Sequence, residues 1–215
     1  LSSSVVYQGQ MSISDSTRIV DDAVIQRTVE ALAARNMPAV VAETSEQALQ
    51  LLKDMVPDGA EVFNSTSETL DSIGYSDYLH NNPRYRNLHD EIAEETDPAK
   101  QRDLRRLATV SEYIIGSVQA IAETGEIVVA SGSGSQLGAF VFGAKYVILV
   151  AGTQKICATL TDAIDRVRGY TVDKHDEWLV AQGRNARPMG KLTIFENEVA
   201  DDRVRVILIK ENLGW

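Results

Sequence analysis

A chain of 215 residues, 44% of them hydrophobic, can bury one substantial core and leaves no room for two full domains. A formal net charge of -10 excludes nucleic acid and anionic membrane as main partners, because no basic stripe exists to neutralise phosphates. One cysteine, Cys157, excludes an intrachain disulfide, a cysteine-based zinc site and an iron–sulfur cluster ligated by this chain alone.

No apolar run approaches the ~20 residues that span a bilayer, so a cytoplasmic protein without membrane contact is expected. Residues 1–20 read as a disordered or tag-derived tail. Leu1 to Gln10 is polar, precedes Met11 and lacks the charged start of a signal peptide. Residues 21–215 read as a single α/β domain. Asp21-Asp22 precede a helix with Val24, Ile25, Thr28, Val29 and Leu32 on one face, ended by Asn36 and Pro38. Ala39 to Ala42 is a short strand, Ser45 to Met55 a second helix, and Pro57-Asp58-Gly59 a turn into the strand Ala60 to Asn64. Ser65 with Glu68 matches a capping box for the next helix. Asn64, Ser65 and Thr66 would also lie at the carboxyl edge of a sheet, where they could offer polar groups to a ligand.

Residues 72–97 break the alternation, with Tyr75, Tyr78, His80, Tyr85 and His89 scattered among charged and amide residues. This stretch reads as short helices forming a polar flap, whose Arg84 and Arg86 either face solvent or reach an anionic ligand. Asp97-Pro98 caps and opens a helix to about Ala108, and Glu112 to Gly116 is the next strand. Ser117 begins a connection that reaches a tight turn at Thr124-Gly125. Glu123, just before that turn, is either a solvated carboxylate or an acid/base aimed at the loop that follows.

That loop is the densest signal in the chain. Ile127 to Ala130 is a buried apolar run that empties into Ser131, Gly132, Ser133, Gly134 and Ser135; Gln136 to Phe142 has helical spacing, and Tyr146 to Val150 is a second buried strand. Strand, loop, helix and strand read as a βαβ unit with a parallel sheet. A nucleotide P-loop is excluded, because no lysine follows the glycines until Lys145. The dinucleotide fingerprint fails as well, since Leu137 holds the position of its third glycine. What remains is either a cradle for a phosphate or carboxylate or a helix cap, and both use small hydroxylated residues. Gly152 to Ile156 is a further strand-to-helix connection carrying Lys155. Thr161 to Arg168 and Thr171 to Gln182 read as helices, and Leu192 to Phe195 and Val204 to Ile209 as strands. A strand as apolar as the last must be paired, within its own sheet or with a second chain as a homodimer. His80, His89 and His175 have no metal-ligand spacing, and no nucleophile elbow is present. No metal or cofactor is expected.

At Ile121-Ala-Glu-Thr-Gly125, at Ser131 to Gln136 and at Val150-Ala-Gly-Thr-Gln-Lys-Ile156, the sequence resembles the lactate-utilisation (LUD) domain family, over a span from about Ile25 to the terminus. The resemblance implies an open, mainly parallel α/β sheet with helices on both faces, similar to ribose-5-phosphate isomerase and CoA-transferase domains. It further implies a part in bacterial oxidation of lactate to pyruvate beside iron–sulfur partner proteins, with a small anionic or phosphorylated metabolite as ligand. An independent isomerase or transferase is the alternative. By resemblance the catalytic candidate is Glu123. The ligand-binding candidates are Thr124, Ser131, Gly132, Ser133, Gly134, Ser135 and Gln136, followed by Lys155, Ser117, Asn64, Ser65 and Thr66.

Overall fold

The computed structural model describes residues 16–186 and 188–215. Helices are α1 (Asp22–Ala34), α2 (Ser45–Met55), α3 (Glu68–Ser72), α4 (Tyr75–Leu79), α5 (Leu88–Glu94), α6 (Pro98–Leu107), α7 (Leu160–Arg166) and α8 (Val172–Ala181). Strands are β1 (Ala39–Ala42), β2 (Glu61–Asn64), β3 (Arg86–Asn87), β4 (Tyr113–Ser117), β5 (Ala120–Ala122), β6 (Ile127–Ser131), β7 (Tyr146–Gly152), β8 (Ile156–Cys157), β9 (Lys191–Phe195) and β10 (Val204–Ile209). Single wide helical turns span Ala139–Gly143 and Val167–Thr171.

Six strands form a wholly parallel sheet in the order β1-β10-β7-β4-β2-β3. Strand side chains alternate between faces, and the core divides accordingly. From β10, Val204, Val206 and Leu208 enter one cluster with Ile25 and Leu32 of α1 and Leu88 and Ile92 of α5. Ile207 and Ile209 enter the other, with Ala48 and Leu52 of α2, Leu70 of α3 and Leu79 of α4. Helices therefore cover both faces, as a buried parallel sheet requires. Because β10 pairs with β1 on one side and β7 on the other, its apolar run is covered within the chain and supplies no argument for a second copy.

A second sheet of four strands, β8-β5-β6-β9, packs one face on the first cluster through Ile121, Ile127, Val129 and Phe195. Its other face meets α7 through Ala120, Val128 and Ala163. Here the expected βαβ unit fails. β6 pairs antiparallel with β5 and β9, while β7 runs in the six-stranded sheet, so the glycine loop joins two sheets instead of crossing over one. A buried apolar run shows that a strand is covered, but not which sheet it joins. Two chain segments tie the sheets together: β4 runs on through Val118 into β5, and β7 through Thr153–Lys155 into β8.

Asp21 and Thr44 cap α1 and α2, accepting from Val24 N and Gln47 N. The Ser65–Glu68 box does not form. Ser65 N still bonds Ile115 O in line with the β2–β4 pairing, so the helix starts later and Ser67 caps it by accepting from Leu70 N. In the stretch read as a flap, Tyr75 and Tyr85 are buried in the second cluster. Arg84 pairs with Asp58, and Arg86 pairs with Glu61 and Glu91. Residues 1–15 of the expected tail lie outside the described residues. Ser16 is buried, and its carbonyl accepts from Arg166 Nη2 at 3.0 Å.

Candidate functional site

Three strands of the parallel sheet end in small or polar residues on one face. Asn64 follows Val62 by two positions, Ser117 follows Ile115, and Gly152 follows Val150; all three of those apolar residues belong to the second cluster, so their successors point the same way. Behind Gly152 come Thr153, Gln154 and Lys155, at 0%, 1% and 2% exposure. Asn64 and Ser117 are buried too, as is Thr69 of α3, which faces them from above. The result is a polar corner, closed off from solvent, at the carboxyl ends of β2, β4 and β7. Open α/β sheets hold their ligands at this end.

Lys155 lies at its centre. Its Nζ bonds Thr69 Oγ1 at 2.9 Å and Ser117 Oγ at 3.1 Å, and it makes no ion pair among the described residues. Those two bonds use both N–H groups of a neutral amine. An ammonium would bring a third N–H for which no acceptor is in place, and a buried charge without partners is among the costliest features a fold can carry. Burial, with Arg166 nearby as the lesser cause, pushes the amine well below the ordinary lysine range. Arg166 is itself fully buried; it donates to Gln119 O at 2.6 Å and Ser16 O at 3.0 Å, and its Nε has no partner.

The chain beyond β10 roofs the corner. Leu213 O accepts from Thr69 Oγ1 at 3.2 Å and from Gln154 Nε2 at 2.9 Å, and Gly214 O accepts from the same Nε2 at 3.3 Å. Gly214 has φ +62°, and a Cβ there would collide with Thr69, so this position needs glycine for both reasons. Trp215 lies 6.5 Å, ring to ring, from Trp178 of α8. Under this roof three acceptor-capable atoms stay unpaired: Asn64 Oδ1, Thr153 Oγ1 and Gln154 Oε1. Buried polar groups are nearly always satisfied, which makes three orphans on residues at the ends of β2 and β7 an unusual concentration.

The structure separates the sequence-predicted residues into three places. Lys155, Ser117 and Asn64 meet in the corner. Ser65 sits one position beyond Asn64 on the opposite face, beside Gly116, and Thr66 is exposed. Glu123 and Thr124 lie beyond β5 at the start of β6, whereas Ser131 to Gln136 lie at the other end of β6. The expected convergence of carboxylate turn and glycine loop therefore fails, with the length of a strand between them. Glu123 is ion-paired with Arg27 of α1, and Glu126 takes Arg35 and the Thr124 hydroxyl. A cleft of ≈ 720 Å³ opens there, lined by Arg27, Arg35, Glu123, Thr124 and Asn197, but its charges neutralise one another. Gly125, with φ +95°, is needed because a Cβ would meet the Ala31 backbone of α1 at 2.8 Å. In the glycine loop Ser131 Oγ accepts from Gly134 N at 3.0 Å and Ser133 Oγ from Ser135 N at 3.3 Å, so two of the loop's N–H groups are taken by its own serines.

Thr69, Thr153, Gln154 and the Leu213–Gly214 backbone escaped the sequence reading. Thr153 and Gln154 could have been found as neighbours of Lys155 at a strand end. Thr69 and Leu213 carry no local signal, since they reach the corner from 86 and 58 residues away along the chain from Lys155. Among the described residues no cluster of His, Cys, Asp and Glu could hold a metal, and no helix is long and apolar enough to cross a membrane.

The fold resembles the crystal structure of a DUF162 family protein from Deinococcus radiodurans, with TM-score 0.54 and 10% identity over 89% of this chain and 99% of that one. A fainter likeness, TM-score 0.33 at 15% identity, links 53% of this chain to 42% of eIF2B beta from Chaetomium thermophilum and bears no weight. No curated protein matches the chain. Residues 25–180 match the LUD domain, well over half of the sequence. With the parallel sheet, the two-faced helical cover and the Ala-Glu-Thr-Gly turn packed on α1, that match settles the lineage: this chain belongs to the LUD domain family.

Proposed function

We propose that the protein is an accessory component of bacterial lactate-to-pyruvate oxidation, working beside iron–sulfur partner proteins and binding a small hydroxylated acid in the corner at the ends of β2, β4 and β7. The observation that carries this reading is the buried Lys155 amine, which has no carboxylate partner among the described residues, at strand ends that also carry three buried, unpaired acceptor-capable atoms. A hydroxy acid brings what the corner lacks. Its carboxylate would let Lys155 take a proton and pair, and its hydroxyl would donate to Asn64 Oδ1, Thr153 Oγ1 or Gln154 Oε1. The partner role rests on family membership and on the absence of cluster-ligating cysteines in this sequence.

Thermal unfolding with lactate and other small acids is the direct test. A ligand at a hundred times its dissociation constant stabilises by about 2.7 kcal/mol, a readily measured shift. Lactate should stabilise the wild type and leave Lys155→Met unaffected; no response at millimolar concentration removes the ligand reading. A pull-down from lactate-grown cells that recovers no iron–sulfur protein removes the partner reading. The second reading, an independent isomerase or transferase, is favoured by one feature, a buried amine 3.1 Å from the Ser117 hydroxyl whose charged form burial disfavours. On that reading Lys155, rather than Glu123, is the acid/base.

A further inference from the structure

Burial favours the neutral form of the Lys155 amine, and the electron pair of that form is used by no hydrogen bond among the described residues. Both N–H groups are committed, to Thr69 Oγ1 at 2.9 Å and Ser117 Oγ at 3.1 Å. Thr69 passes its own proton to Leu213 O at 3.2 Å, and Ser117 can pass its proton to Val118 O at 3.3 Å. The donor chain runs outward from the nitrogen, which leaves the lone pair as the free reactive element. Lysines that act as nucleophiles are made so by desolvation and by a neighbouring cation, and Lys155 has both, the cation being Arg166.

The surroundings say what it would attack. Acyl transfer through Ser117 would need donors for an oxyanion, yet of the three unpaired buried atoms at these strand ends two, Asn64 Oδ1 and Gln154 Oε1, are carbonyl oxygens, which accept and cannot donate. The same atoms suit a ligand that carries hydroxyl groups. We propose that Lys155 adds to the carbonyl carbon of a small hydroxylated aldehyde or ketone and forms an imine with it. In this step the nitrogen lone pair makes the C–N bond while the C=O π pair moves to oxygen, which takes a proton from the Ser117 hydroxyl. Ser117 regains a proton from the nitrogen, giving a neutral carbinolamine. The carbinolamine hydroxyl then takes a proton from Ser117 and leaves as water while the nitrogen pair closes the C=N bond, and Ser117 recovers its proton from the iminium N–H, which completes the exchange of one carbonyl oxygen for one imine nitrogen. No oxidant or reductant is consumed. The inference rests on the corner being a ligand site, as proposed above, but not on that ligand being an acid.

Entry requires the Leu213–Trp215 roof to lift, since Lys155 is 2% exposed. Among the described residues the roof is held by three side-chain bonds, from Thr69 and Gln154, by the ring contact between Trp215 and Trp178 and by the Leu213 side chain, buried in the second cluster.

The test is reductive trapping. The protein is incubated near neutral pH with glycolaldehyde or dihydroxyacetone and cyanoborohydride, then digested and peptide-mapped by mass. A fully solvated lysine keeps only on the order of 1 in 10³ of its amines neutral at pH 7, so a desolvated amine stands out even after restricted access is allowed for. We expect a reduced adduct on the Lys155 peptide at least about tenfold above those on the exposed lysines. Trp215→Ala, which removes the Trp178 contact without touching the corner, should raise the Lys155 rate further, and Lys155→Met should abolish the selective adduct. If Lys155 is labelled no faster than the exposed lysines in both the wild type and a folded Trp215→Ala protein, the inference is wrong. Lactate has no carbonyl to react, so its effect on melting judges the acid-binding reading separately. Stabilisation by lactate without trapping sinks the imine alone, and trapping without stabilisation sinks the acid alone.

Discussion

The glycine loop and the Lys155 corner invite opposite judgements from sequence and from structure. Ser131 to Ser135 is conspicuous in the chain, five small residues at the end of a buried strand, yet in three dimensions its serines bond two of its own N–H groups. Lys155 carries no motif in the sequence, yet it lies buried beneath a roof, at strand ends that also hold three unpaired acceptor-capable atoms. Polar density along a sequence marks where the backbone needs help. Unmet polar groups in a buried place mark where something else is required.

Substitutions can break that contrast or sharpen it. The largest effect should come from glycines, because the corner is crowded where the loop is open. At Gly152 a Cβ would collide with Gln154 Oε1 and the Glu211 carbonyl, whereas at Gly132 it meets nothing within 4 Å. Gly152→Ala should cost about 3 kcal/mol in chemical denaturation, and Gly132→Ala should change stability by less than about 1 kcal/mol. Equal costs at the two positions would erase the distinction.

The next effect is a slope. Lys155 has its folded-state value pushed below its unfolded one by burial, so the unfolded chain binds the extra proton and stability rises with pH up to the ordinary lysine value of 10.5. Each pH unit within that window adds up to about 1.4 kcal/mol from this one group, lost again as pH falls. Wild type and Lys155→Met, unfolded by urea across a pH series, should therefore diverge as the pH rises. Parallel curves would mean that the amine is charged in the folded protein.

Smaller effects belong to the loop. Gly134 has φ +85°, and a Cβ there would also push against the flexible Lys191 side chain. Gly134→Ala should cost about 1 kcal/mol. Ser131→Ala, which removes the acceptor for Gly134 N in a partly exposed place, should cost about 0.5 kcal/mol. Neither substitution should alter stabilisation by lactate; a loss of that response would return the ligand to the glycine loop.

Much of the fold was legible because local signals agreed with tertiary demand. Ala39–Ala42, Ser45–Met55 and Val204–Ile209 have the same bounds in the sequence reading and in the structure. Asp21 and the Asp97-Pro98 pair begin their helices as expected. Ser65 failed as a cap because the β2–β4 pairing outlasts its apolar residues, a fact held by β4 and invisible in β2. The short strand β5, only Ala120–Ala122, was lost inside a connection, since three residues carry no period. Glu123 looked poised for chemistry because its partner Arg27 is 96 residues away, on a helix whose rotation the sequence does not reveal. Lys155 was seen, but its burial depends on α3 and on the chain after β10, and no spacing rule links those segments.

The two chain crossings between the sheets have a mechanical consequence. Because β4 continues into β5 and β7 into β8, the floor beneath Lys155 is stitched by covalent backbone and cannot part without unravelling both sheets. Among the described residues the roof hangs on three side-chain bonds, a ring contact and the one buried side chain of Leu213. Opening therefore works like a hatch, not a hinge between halves. Deuterium should enter the amides of 213–215 through brief local excursions whose rate barely responds to dilute denaturant, while those of β4 and β7 should exchange only when the whole molecule comes apart.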